Sequence, residues 1–200
     1  LAATRGAFLA VLASLFLSFV FVMLASKKLR KPIGILIFCG TLLFGSLFYF
    51  KNTPLVKNLP GSRIFEKSIS TRTFGDRTIM WETAINGFKE RPIFGWGPEN
   101  FYQVFDRHFN TRYFKPAEGF GAWFDRAHSL IFDYLAETGI LGLAAFLGIF
   151  TTFYLLFFSY LRRSNREGKD FLFGSPLIHG LFFALPIAYF IQGLVLFDIL

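Results

Sequence analysis

The sequence predicts an all-α protein: a polytopic transmembrane helical bundle with a large, partly helical extracytoplasmic loop. Three observations predict it. Of 200 residues, 54% are hydrophobic and 30 are phenylalanine, more apolar material than one soluble core of this size requires. The apolar residues gather into four runs long enough to cross a bilayer, at about 6–25, 32–50, 140–160 and 171–200. The short connections between the first and second runs, and between the third and fourth, are both basic. A chain this hydrophobic is not disordered. Its single cysteine, Cys39, excludes a disulfide scaffold and any multi-cysteine zinc site.

The first run, Gly6 to Ala25, is twenty residues without a charge, about 30 Å of helix. Its basic cluster follows the apolar stretch, the reverse of a signal peptide. The second is Pro32 to Phe50, and Cys39 within it is most simply an apolar residue. The third is Ile140 to Tyr160, approached by apolar residues from Leu130. The fourth, Phe171 to Leu200, is interrupted by Pro176, Pro186, Gln192 and Asp198. Lys27, Lys28, Arg30 and Lys31 separate runs one and two; Arg162, Arg163, Arg166 and Lys169 separate runs three and four. The positive-inside rule puts both connections in the cytoplasm, and an even number of spans between them makes the two placements agree. Arg5 and the loop over about 51–128 then face outward. A start at Leu1 rather than Met, beside a membrane segment, reads as a piece of a longer membrane protein, with 1–200 one partial domain.

The formal charge is +8, which could suggest a nucleic-acid binder, but eight basic residues are already explained as topology signals. The outer loop carries 12 basic and 8 acidic residues, net +4, and is too long to serve only as a connector. Its first part, 51–73, reads as irregular. Asp76 is placed to cap a helix running to about Lys89, with Trp81, Ala84, Ile85 and Phe88 as its buried face and Arg77 on that same face. Arg91-Pro92 ends it, and Gly95-Trp96-Gly97-Pro98 is a tight turn. Phe101 to Phe109 suggests a short helix, and Arg112 to Gly121 a loop. From about Ala127 the pattern is helical again, with His128, Ile131, Phe132 and Leu135 on one stripe and Asp133 and Glu137 on the other side. Gly139 and Gly142 mark a break or close packing before the third span.

Taken alone, the polar residues keep two readings each. Arg5 is an interfacial arginine, or an anion ligand at a helix N-terminus. Arg77 is a solvated loop cation or a buried one that needs an anion. His128 is a helix-start residue or a base that is neutral near pH 7.

Four segments together resemble a known family. Glu90-Arg-Pro-Ile-Phe-Gly-Trp-Gly-Pro-Glu-Asn-Phe101 resembles the glycine turn of bacterial O-antigen ligases and related O-antigen polymerases. His128-Ser-Leu-Ile-Phe-Asp-Tyr-Leu-Ala-Glu-Thr-Gly139 is similar to their histidine motif, with Phe132 where Leu is usual. Arg77-Thr-Ile-Met-Trp81 resembles their arginine motif, and Thr4-Arg5-Gly6-Ala7 the Ser/Thr-Arg-Gly that opens a membrane helix. The resemblance covers nearly the whole chain and corresponds to the catalytic central and later part of a protein with about twice as many spans.

The resemblance implies a glycosyltransferase of the bacterial inner membrane that uses no metal or other cofactor. The donor would be a glycan on undecaprenyl pyrophosphate, and the acceptor a hydroxyl on lipid A core, on a second lipid-linked glycan or on a protein. His128 would be the general base, and Arg5, Arg77 and, more weakly, Arg126 would bind the pyrophosphate. Gly95, Gly97 and Gly139 would shape the turn beside the site. The chemistry is consistent with those residue types. A departing diphosphate needs fixed positive charge, the sequence has no Asp-x-Asp or His-Glu-x-x-His, and guanidinium binds phosphate oxygens in a bidentate way. In-line attack by a hydroxyl that His128 deprotonates would invert the anomeric centre. A transporter or flippase fragment for lipid-linked glycans is the alternative, because it too would place arginines near a membrane cavity.

Overall fold

The computed structural model describes residues 5–59, 62, 71–114, 123–166 and 175–194, and among them every regular element is helical. These are α1 (Arg5–Ala25), α2 (Arg30–Tyr49), α3 (Pro54–Lys57), α4 (Thr71–Glu90), α5 (Phe101–Arg107), α6 (Leu130–Arg166) and α7 (Pro176–Gly193). Three stretches are long and apolar enough to cross a membrane: Lys27–Tyr49, Leu130–Ser164 and Pro176–Gly193. The expected first span is α1, which contains a shorter apolar helix, Leu9–Ala25. The ends of the expected fourth span, 171–174 and 195–200, lie outside the described residues.

The chain divides into two compact units. The first combines Leu1–Lys67 with Thr152–Gln192. In it α1 and α2 are joined by a single 3-10 turn, Lys27–Leu29, and Arg30 Nε donates to the Met23 carbonyl at 3.0 Å. Gly180 of α7 lets two backbones approach: a Cβ there would meet Val22 Cγ2 at 2.6 Å and Ser18 O at 2.9 Å. Small residues at a crossing are how apolar helices pack when lipid offers no hydrophobic drive between them. Phe21 stacks on Phe183 at 5.0 Å, and the Tyr154 hydroxyl donates to the Phe183 carbonyl at 2.8 Å in the turn before Pro186. His179 is buried, with Nδ1 3.1 Å from the Ser175 carbonyl. Along α2, Ile35, Leu36, Phe38, Leu42, Leu43 and Phe48 are exposed. Such a continuous apolar face is the surface that hydrocarbon covers.

The second unit combines Ser68–Thr151 with Gly193–Leu200 and contains α4, α5 and the start of α6. Its core joins Met80 and Ala84 of α4, Phe101, Val104 and Phe105 of α5, Trp96, Tyr113 and Ala127 of the loops, and Ala136 of α6. Several expectations need correcting. Pro54 follows extended Thr53 and starts a single helical turn inside the segment read as irregular, because proline presets the first helical φ. Thr111–Tyr113 is a 3-10 turn within the expected loop, capped by the Asn110 side chain, which accepts from Arg112 N–H. Asp76 does not cap α4, which is already helical from Thr71. The buried stripe of α4 is Met80, Thr83, Ala84 and Gly87, whereas Ile85 is exposed. Packing selected the small residues: a Cβ on Gly87 would collide with Val104 Cγ1, so α5 closes on this stripe rather than on the bulkier one. Arg77 nevertheless stands in line with it, three residues before Met80. Finally, α6 begins at Leu130, so His128 precedes the helix instead of opening it.

Candidate active site

The glycine turn and the break in α6 complete each other. Gly139 has φ 66° and ψ −165°, which no helix accommodates. At the break Ile140 N–H and Leu141 N–H turn away from their i−4 helical partners, Ala136 O and Glu137 O. All four orphaned groups lie against the turn and need partners. The turn supplies them. Trp96 N–H donates to Ala136 O at 3.0 Å and Gly97 N–H to Glu137 O at 2.7 Å. Ile140 N–H donates to Pro92 O at 2.9 Å and Leu141 N–H to Ile93 O at 3.4 Å. Gly95 and Gly97 also have positive φ, 68° and 98°. Here the three glycines named from sequence have a physical reason to occur together.

The turn is anchored on its other side by Trp96. Its indole Nε1 donates to the Gly87 carbonyl at 2.9 Å in a buried setting, and the Arg91 guanidinium lies 4.1 Å above the ring. Trp96→Phe should lose the bond and part of the ring's packing, lowering stability by about 1–3 kcal/mol. Thermal unfolding in detergent checks this; an unchanged midpoint would show that the indole N–H is dispensable.

His128 sits in the bend before α6 with φ 57°. A left-handed conformation costs a non-glycine residue roughly 1–2 kcal/mol, so the surroundings must enforce it. Asp133 brackets it. The Asp133 carboxylate accepts from Ala127 N–H at 2.6 Å, and Asp133 N–H donates to the Ser129 carbonyl at 2.9 Å. The residues on either side of His128 are thereby tied to the first turns of α6. Phe124 meets the imidazole edge to face, with centroids 5.1 Å apart. Burial lowers the His128 pKa, the positive charge of Arg77 lowers it further, and Asp125 opposes both. The ring is therefore held in its neutral form, the form that can take a proton.

The three arginines differ. Arg126 is buried and pairs with Glu99; its Nη1 is also 3.8 Å from Glu137 Oε1. Glu137 accepts from Glu99 N–H at 3.1 Å, so buried Arg126 and Glu137, with the more exposed Glu99, tie the bend, the turn and α6 together. Burial would lower the Arg126 pKa, but the bond to Glu99 and the charge of Glu137 raise it on balance. Arg77 is half-buried, and burial lowers its pKa. Among the described residues no hydrogen bond or ion pair is made by Arg77. Arg5 is the first residue of α1, and its side chain lies outside the described residues. A cavity of about 50 Å³ adjoins the bend, lined by Pro98, Arg126, Leu130, Asp133, Tyr134, Glu137 and Thr138.

Sequence reading did not assign Glu99, Asp133 or Glu137 to the site. A usable signal existed: two acids four residues apart at the head of an otherwise apolar helix must face partners once that helix packs. His108, in the helix-end turn after α5, has Nε2 3.1 Å from Glu90 Oε1.

In comparison with known families, the O-antigen ligase family model matches residues 1–147. That segment contains Arg5, Arg77, the glycine turn and the stretch from His128 to Gly139. No curated protein matches the chain.

Proposed function

The chain belongs to the O-antigen ligase family, a family of membrane glycosyltransferases of ligase and polymerase type, and on that premise we propose how it works. The protein transfers a glycan from undecaprenyl pyrophosphate to an acceptor hydroxyl, without a metal, on the outer side of the bacterial inner membrane. His128 accepts the hydroxyl proton as the oxygen attacks the anomeric carbon. Attack in line with the departing diphosphate inverts that carbon. Arg77, with Arg5, stabilises the charge that develops on the diphosphate. Arg126 is already compensated by two carboxylates, so in this reading it holds the turn and bend together rather than carrying the donor. The outer loop is extracytoplasmic, and the partners are the lipid-linked donor and a glycolipid, glycan or protein acceptor.

One observation carries the reading. Arg77 is a half-buried cation with no anionic partner among the described residues, and its charge reaches the histidine held neutral beside it. A desolvated guanidinium without a counter-ion is costly unless an anion arrives. The direct test is transfer in membranes carrying the protein, with EDTA present and an undecaprenyl-pyrophosphate-linked glycan as donor. Lipid A core and a second lipid-linked glycan are offered separately as acceptors. Transfer that survives EDTA supports the proposal. A well-inserted protein that transfers to neither acceptor, yet moves the donor across the bilayer, overturns it in favour of transport.

The site also predicts a pH dependence. A base must be deprotonated, so kcat/KM falls as pH drops through the His128 pKa. Arg77 lowers that pKa and Asp125 raises it. Asp125→Asn should therefore move the acid limb of the profile to lower pH. Arg77→Gln should move it to higher pH, besides lowering the rate. Profiles that shift together, or not at all, would place the titration elsewhere.

A further inference from the structure

The tip of the glycine turn carries an apolar pair that the mechanism does not use. Phe94 is 76% exposed and Ile93 53% exposed. Two aromatic or branched side chains at a loop tip in water forfeit the burial that would stabilise them. Their position explains them. The Pro92 and Ile93 carbonyls accept from Ile140 and Leu141 N–H, so the tip is fixed at the level where α6 resumes after its break. Ile140 and Leu141 are themselves 48% and 53% exposed, and Leu147 and Ile149 continue the exposed apolar face along the helix.

Depth follows from helix geometry. From Leu141 to the basic residue Arg162, twenty-one residues of α6 rise about 31 Å, the thickness of a hydrocarbon core. If Arg162 marks one boundary, Leu141 stands at the other. Lys89 and Arg91, exposed at the end of α4, immediately precede the tip. Basic residues flanking an apolar tip suit a layer of lipid phosphates above acyl chains.

We propose that Ile93 and Phe94 insert into the bilayer boundary on the outer side and that phospholipid covers them. The glycine turn would then be a membrane-dipping loop that sets the height of the site above the acyl chains. The proposal rests on the reading that α6 crosses the membrane.

The test uses the full chain with Cys39→Ser, reconstituted in phosphatidylethanolamine–phosphatidylglycerol vesicles. Single cysteines at Phe94→Cys, Ile140→Cys or Thr111→Cys carry an environment-sensitive fluorophore. The label at 94 should emit to the blue of the label at 111. Lipid spin-labelled high on its acyl chain should quench it more than lipid labelled near the chain end. A water-like spectrum at 94, or a blue shift that no spin-labelled lipid quenches, overturns the proposal; the latter would mean that protein covers the tip. Quenching at 140 but not at 94 sinks the loop insertion alone, and quenching at neither sinks the α6 span with it. Ile93→Cys provides a second position should Phe94→Cys fold poorly.

Discussion

Alanine in place of His128 should reduce glycan transfer at least about 100-fold, with EDTA present and with the variant inserted at the wild-type level. That loss lies within the range usual for a missing acid–base group. The expectation separates chemistry from folding for three reasons. His128 is only half-buried. Alanine at φ 57° carries a backbone penalty like that of histidine, so the bend is no more strained than before. The bonds from Ala127 N–H to the Asp133 carboxylate and from Asp133 N–H to the Ser129 carbonyl survive removal of the imidazole. What the variant loses is a ring kept neutral by burial and by Arg77. His128→Gln sharpens the result, because glutamine retains polarity and bulk but cannot take a proton. Glutamine as inactive as alanine identifies proton transfer. Transfer unchanged in either variant removes His128 from the chemistry and leaves the bend a structural feature.

Much of the fold was legible because its signals are local. A run such as Pro32 to Phe50 declares a spanning helix by length and composition alone, and α2 covers Arg30–Tyr49. Of Gly139 and Gly142, expected to mark a break or close packing, Gly139 is where α6 departs from helical geometry. Other features were not legible because they depend on residues far apart in sequence. The buried side of α4 was misjudged by one residue. Hydropathy favours Ile85, but contact with Val104 favours Gly87, and only the packed structure arbitrates. The compensation of Arg126 by Glu99 and Glu137 joins three segments, and no spacing rule connects them. Arg77 and Arg126 look alike as sequence. They differ only once their neighbours are known: Arg77 has no anionic partner among the described residues, and Arg126 is already neutralised.

The glycine turn makes the sharpest structural prediction. A Cβ on Gly139 would collide with the Ile93 carbonyl and lie 2.8 Å from Gly95 N. One on Gly95 would collide with the Glu137 carbonyl and lie 2.6 Å from Thr138 N. These obstacles are backbone atoms, which cannot rotate away as a side chain can. At Gly139 the conformation itself, φ 66° with ψ −165°, belongs to glycine. Strain of about 1–3 kcal/mol and overpacking of similar size add to roughly 4 kcal/mol for Gly139→Ala, enough to unfold a marginal domain. The other glycines grade the effect. At Gly97 the nearest obstacle is a side-chain atom, Asn100 Nδ2 at 2.8 Å, so Gly97→Ala should cost less. At Gly148, which is helical, a Cβ would meet nothing within 4 Å, and alanine should be neutral or stabilising by up to about 1 kcal/mol. Thermal unfolding of purified variants should therefore order them with Gly139→Ala and Gly95→Ala lowest, Gly97→Ala between and Gly148→Ala at or above wild type. The double variant Gly95→Ala with Gly139→Ala should fall short of the sum of the singles, because both break the same four backbone hydrogen bonds. Wild-type stability in Gly139→Ala, or strict additivity in the double variant, would mean that the turn and the break are not one unit. The bend carrying His128 would then have to be held by Asp133 and the Arg126 ion pairs, without the turn's backbone.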